Sequence, residues 1–150
     1  MNPSARTCAI LALALGSVAG CKAHVLHHDQ HVAAKEAETF LRHAVVEQDF
    51  AAAHGMLRED ARQRVSEAAL ADAVKQQHVN GYPTSVRAIE YEPVPGQAAI
   101  QIFLLGENSS EKFYYRVPLV GTVDSGYSPD GVYRGTGPYP SSSLRQRLDK

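Results

Sequence analysis

Tryptophan is absent from the 150 residues, cysteine occurs only twice, and acidic and basic residues nearly cancel at 16 and 15. That balance speaks against a broad basic surface for nucleic acid, and equally against an acidic trap for cationic substrates. The apolar run Cys8–Leu15 is far short of the about 20 residues needed to span a bilayer. Gly-rich phosphate loops and the Gly-x-Ser-x-Gly elbow are missing, as are Cys or His pairs at zinc-motif spacing in the C-terminal part. What is present is enough apolar material for one core: seven Tyr, four Phe and a hydrophobic fraction of 44%. A chain of this length suits one domain.

Residues 1–20 have the grammar of an export leader. A short N-terminal region holding Arg6 is followed by the apolar run Cys8–Leu15 and then by small residues, Gly16-Ser17-Val18-Ala19-Gly20. Removal of this segment takes Cys8 with it and leaves Cys21 as the single cysteine, so no internal disulfide is available. A lone thiol in an oxidising compartment is a liability unless it is chemically occupied. Val18-Ala19-Gly20-Cys21 matches at all four places the lipobox of aliphatic, small, Gly or Ala, and Cys. The segment therefore resembles a bacterial lipoprotein signal. The resemblance implies cleavage between Gly20 and Cys21, diacylglycerol on the Cys21 sulfur, and acylation of the new amino group. Two or three acyl chains give a stable anchor, since each buried methylene contributes about 0.8 kcal/mol. The expected location is the bacterial cell envelope. Lys22 stands where an Asp would favour inner-membrane retention in this family, so an outer-membrane site facing the periplasm is the expectation in a host with two membranes.

Immediately after the anchor, residues 21–31 form a short spacer that contains four of the seven histidines: His24, His27, His28 and His31. In a helix, His24 with His28 and His27 with His31 would share a face, a spacing at which two imidazoles reach one divalent metal. Asp29 could then ligate or orient a ring. Against this weak zinc, nickel or copper site stands a solvated spacer in which His is a tolerated polar residue, or a charge that titrates near the headgroups. No other cofactor is implied.

The domain is expected over residues 32–135. Ala33, Ala37, Phe40, Leu41, Ala44 and Val45 recur at helical spacing, which predicts an amphipathic helix from Val32 to Gln48. Asp49 reads as the cap of a shorter helix burying Phe50, Ala53, Met56 and Leu57. A charged connector from Arg58 to Arg64 leads to Ser66, the cap of a third helix ending near Gln77, with Val65 and Leu70 at hydrophobic-staple positions. After Pro83 the pattern becomes that of strands. Val86–Glu92 has Arg87, Ile89 and Tyr91 on one face, and Ala98–Leu105 is apolar on both faces and hence central. Lys112–Val120 carries Pro118, a sign of an edge or bulge, and the turn Ser128–Gly131 predicts a last hairpin of Val123–Tyr127 with Val132–Gly135. Residues 136–150 read as a surface coil. Glycines beside Tyr133, Arg134 and Tyr139 could admit a partner backbone, although a strand end and irregular tail explain them as well.

Helices first and a meandering sheet afterwards predict an α+β domain, with three helices on one face of a curved antiparallel sheet of about four to five strands. This element order resembles the nuclear transport factor 2-like or cystatin-like fold. The resemblance implies a conical pocket between helices and sheet, and Tyr114, Tyr115, Arg116, Asp124 and Tyr127 are the polar residues expected near it. No Asp and His pair commits these residues to catalysis, so no catalytic residue is assigned. The leading expectation is a membrane-anchored lipoprotein that binds an envelope protein or a small apolar ligand without turning it over. A pocket enzyme of isomerase or dehydratase type, and metal handling by the stretch His24–His31, are the alternatives.

Overall fold

The structure, a computed structural model, describes residues 26–149; the expected leader at residues 1–20, Cys21 and His24 lie outside the described residues. The Asp29 carboxylate accepts hydrogen bonds from the backbone N–H groups of His31 (3.0 Å) and Val32 (3.1 Å), and so caps α1, Gln30–Leu41. α1 buries Ala33, Ala34, Ala37, Phe40 and Leu41. It then widens into a π-helical turn, Arg42–Glu47, in which Ala44 and Val45 are both buried. Arg42 and His43 hold the Glu47 carboxylate at 2.7 and 2.6 Å, and Gln48 ends the turn in the left-handed region at φ 55. The helix expected from Val32 to Gln48 thus starts two residues earlier and finishes in π geometry.

Asp49 accepts from Ala52 N–H (3.0 Å) and starts α2, Phe50–Met56. The expected charged connector is itself a helix, α3, Glu59–Arg64. Its acidic residues occupy the first turn and its basic residues the last, the order that the helix dipole favours, and Ala61 is buried beneath it. Ser66 caps α4, Glu67–Gln77, by accepting from Ala69 N–H, and Leu70, Ala71 and Val74 face inward.

The strands are β1 Ser85–Pro93, β2 Ala99–Glu107, β3 Lys112–Thr122, β4 Gly126–Pro129, β5 Tyr133–Gly135 and β6 Gln146–Arg147. All pairings are antiparallel, in the order β4-β3-β2-β1-β6, with β5 also on β3. The α+β class with helices preceding an open antiparallel sheet is as expected; among the described residues four α-helices replace the predicted three.

The strands depart from the expected pattern at three places. A bulge between Ala88 and Glu90 switches the faces of β1, so Val86, Ala88 and Tyr91 pack on the core instead of Arg87, Ile89 and Tyr91 sharing one face. The side chain of Glu38 on α1 reaches this irregularity and accepts the Ala88 N–H at 2.6 Å. Secondly, the expected hairpin of Val123–Tyr127 with Val132–Gly135 does not form. β4 and β5 instead run one after the other along the same edge of β3, interrupted opposite Pro118. Pro118 donates nothing, but its carbonyl accepts Asp130 N–H at 2.9 Å, so the proline sits at the irregularity its chemistry requires. Thirdly, the C-terminal segment, expected as a surface coil, contains a strand: β6 extends the sheet beside β1, and Leu148 packs on the core.

Between helices and sheet lie Phe40, Leu41, Ile100, Ile102, Leu104, Phe113, Tyr115, Val117 and Leu119, all at most 1% exposed. Each large aliphatic or aromatic side chain there stabilises the fold by roughly 1.5–3 kcal/mol relative to exposure. These side chains fill the space in which the conical pocket was expected. Phe103 points to the other face, where Tyr139 meets it edge-on at 5.4 Å and the Arg145 guanidinium lies 3.7 Å from its ring centre. Gly121 at φ 127 lets β3 and β4 close tightly: a Cβ there would stand 1.8 Å from the Gly126 carbonyl oxygen.

Candidate functional site

α4 ends at Gln77, and the chain turns through His78 and Gly81, the latter at φ 128, so the His78 ring swings inward and is 3% exposed. Its Nδ1 lies 2.6 Å from the Val74 carbonyl and its Nε2 2.7 Å from the Tyr115 hydroxyl. A carbonyl can only accept, so Nδ1 carries the proton and Nε2 accepts from Tyr115. Tyr82 stacks on the imidazole at 4.9 Å and 6°, with the Phe113 ring 6.0 Å away. Burial pushes the His78 pKa below its usual 6.5; the Val74 hydrogen bond opposes this and the Arg134 charge adds to it. Burial pushes the Tyr115 hydroxyl far above its ordinary value. Both groups are held neutral and fully hydrogen-bonded, an arrangement that locks α4 to β3.

Arg134 on β5 covers this pair from outside. It donates to the Gln77 carbonyl and, at 2.7 Å, to the Glu111 carboxylate, while its guanidinium lies 4.6 Å from the centre of the Phe113 ring. Gln77, Glu111, Lys112, Arg134, Gly135 and Thr136 line a cleft of about 380 Å³. The Gln77 amide oxygen is buried without a hydrogen-bond partner. The cleft therefore offers a partly exposed ion pair and the exposed Lys112 ammonium, held only loosely by Glu107 at 3.9 Å, around two small residues. This is chemistry that can hold a polar group, and the His78 and Tyr115 atoms behind it are engaged with each other and with the Val74 carbonyl.

No protein family, curated protein or solved structure matches the chain.

The five polar residues expected around a pocket do not converge. Tyr115 lies in the core and Tyr127 is buried on the same face, whereas Tyr114 and Arg116 alternate to the opposite face of β3. Asp124 is exposed in the β3–β4 turn. Arg116 lies 4.8 Å from the ring centre of Tyr133 and 5.9 Å from that of Tyr139, so the glycine- and tyrosine-rich segment is occupied with its own cation. Tyr127 accepts the Asp29 N–H at 2.9 Å, lies 3.4 Å from His28 Nδ1, and has its hydroxyl pKa raised by burial.

The histidine spacing changes with the helix start. His27 and His28 precede α1 in non-helical backbone and His31 lies in its first turn, so His27 and His31 are not stacked one turn apart. Among the described residues no group of three His, Cys, Asp or Glu side chains could hold a metal ion. Sequence reasoning raised Arg134 within its glycine- and tyrosine-rich segment but missed Gln77, His78 and Glu111, which lie far from it in the chain. The one available signal was His78 two residues before the helix-ending Asn80-Gly81.

Proposed function

We propose that this chain is a bacterial envelope lipoprotein, held to a membrane by lipid on Cys21, whose domain binds a protein partner through the cleft at Gln77, Glu111 and Arg134. The observation that carries the address is the lipobox Val18-Ala19-Gly20-Cys21 behind an apolar run too short to span a bilayer. The binding role is supported by the cleft, whose lining is polar through Gln77, Glu111, Lys112, Arg134 and Thr136. Glu111, Lys112 and Arg134 line it with charges of both signs, which a polar segment of a partner could pair. The helix–sheet interior is packed with Phe, Leu and Ile side chains, so a polar partner outside is favoured over an apolar ligand within.

The test combines both halves. Labelling with palmitate should mark the wild type and leave Cys21→Ser unmarked. A photo-crosslinking side chain at Thr136, inside the cleft, should yield a discrete adduct in cells, while one at the exposed Gln63 of α3 should not. Equal adducts from both positions, or none, would remove the cleft as the binding surface.

A further inference from the structure

The segment that leads to the proposed anchor is pinned to one end of the sheet. Asp29 N–H donates to the Tyr127 hydroxyl at 2.9 Å, and the His27 carbonyl accepts Val123 N–H at 3.4 Å. Leu26 and His28 share a small depression with residues 93–97 of the β1–β2 turn. The chain thus leaves the domain where the β1–β2 and β3–β4 turns lie side by side. From Leu26 to Cys21 there are five residue steps, which reach at most about 18 Å whatever their conformation. β3 alone, with 11 residues, is roughly 34 Å long. The far end of the sheet, at Asn108–Lys112, therefore cannot be turned to face the membrane.

Two of the exposed large apolar side chains, Leu26 at 39% and Val123 at 38%, lie at the tethered end. Pro95 and Gly96 are exposed beside them, and Asp124 is the one ionisable side chain within the two turns. The flank offered by α1 carries Lys35, Glu36 and Arg42 around the exposed Val32 instead. Laying that flank on lipid would desolvate charges, whereas the turn end has apolar tips to offer to the headgroup boundary.

We infer that the domain stands on the bilayer on its β1–β2 and β3–β4 turns, with Leu26 and Val123 touching lipid and the Gln77–Arg134 cleft facing away. This rests on the lipoprotein reading above and adds an orientation to it. Cys8 departs with the leader and Cys21 is blocked by lipid, so one introduced cysteine becomes the single reactive thiol of the mature protein. Gln97→Cys and Asp124→Cys place it in the two turns, and Ser109→Cys places it at the far end; all three positions are exposed. The full lipidated chain is reconstituted in phosphatidylethanolamine–phosphatidylglycerol vesicles and treated with a bulky maleimide. Labelling at 97 and 124 should be several-fold slower in vesicles than in detergent micelles, and labelling at 109 should be unchanged. Circular dichroism of each variant in micelles matching that of the unsubstituted protein establishes that each is folded. Equal slowing at all three positions means the domain lies on its side, no slowing anywhere means it floats free, and either result overturns the orientation while leaving the anchor intact. A palmitate-free protein with a reactive thiol at position 21 instead sinks the lipoprotein reading itself.

Discussion

Protonating His78 inside the fold would put a second proton on Nε2 and a charge among Tyr82, Phe113 and Tyr115. The native ring resists this, while the unfolded ring titrates normally near 6.5, so in the window below that value the unfolded state binds more protons. The contribution of His78 is therefore complete above pH 6.5 and is lost as the pH falls from there towards the lowered native value. Urea unfolding of the wild type should show a lower midpoint at about pH 5.5 than at about pH 7.5. His78→Gln, which cannot titrate, should flatten that difference even if it is less stable throughout. An unchanged pH dependence in the variant would assign the effect to another group.

Among the elements, the docked C-terminal segment has the least obvious origin. Residues 136–150 contain no apolar periodicity, so nothing local announces that Tyr139 and Arg145 will cover Phe103 or that Gln146–Arg147 will pair with β1. Arg145 is held by Glu92 at 3.3 Å and donates to the Tyr139 carbonyl at 3.2 Å, contacts across long stretches of chain or around a bend. Such contacts follow from the finished sheet and leave no periodic trace. Deleting residues 138–150 should uncover Phe103 and lower stability by about 2–3 kcal/mol from its exposure alone. The truncated protein should also bind a hydrophobic dye that the full chain does not; a dye-silent truncation with an unmoved urea midpoint would contradict the covering role. The legible elements were those with strong local chemistry. Asp49 and Ser66 cap their helices as their side chains predict, and β2, apolar on both faces, is central. The bulge in β1 was illegible because one inserted residue leaves composition unchanged while reversing which face is buried. The scattered residues of the cleft were illegible for a related reason, since only the pairing of β5 with β3 brings Arg134 to Glu111.

For the molecule as a whole, the helical layer and the sheet share one set of buried side chains, from Phe40 on α1 to Leu119 on β3. His78 and Glu38 add hydrogen bonds that tie α4 and α1 to β3 and β1. Neither layer can shed its partner without exposing that common core, so unfolding should be a single cooperative transition. Helical circular dichroism and tyrosine fluorescence, the latter undisturbed in a chain without tryptophan, should give coincident urea curves. Separated midpoints would mean that the helices and the sheet form independent units.

One lateral border of the sheet is split into a four-residue and a three-residue piece around Pro118, and the opposite border ends in a strand of two residues. A neighbouring molecule seeking to add its own strand finds no continuous rail of free N–H and C=O groups along either side. At the two-dimensional crowding that the proposed tether would impose, such a broken rim would disfavour strand addition between adjacent copies.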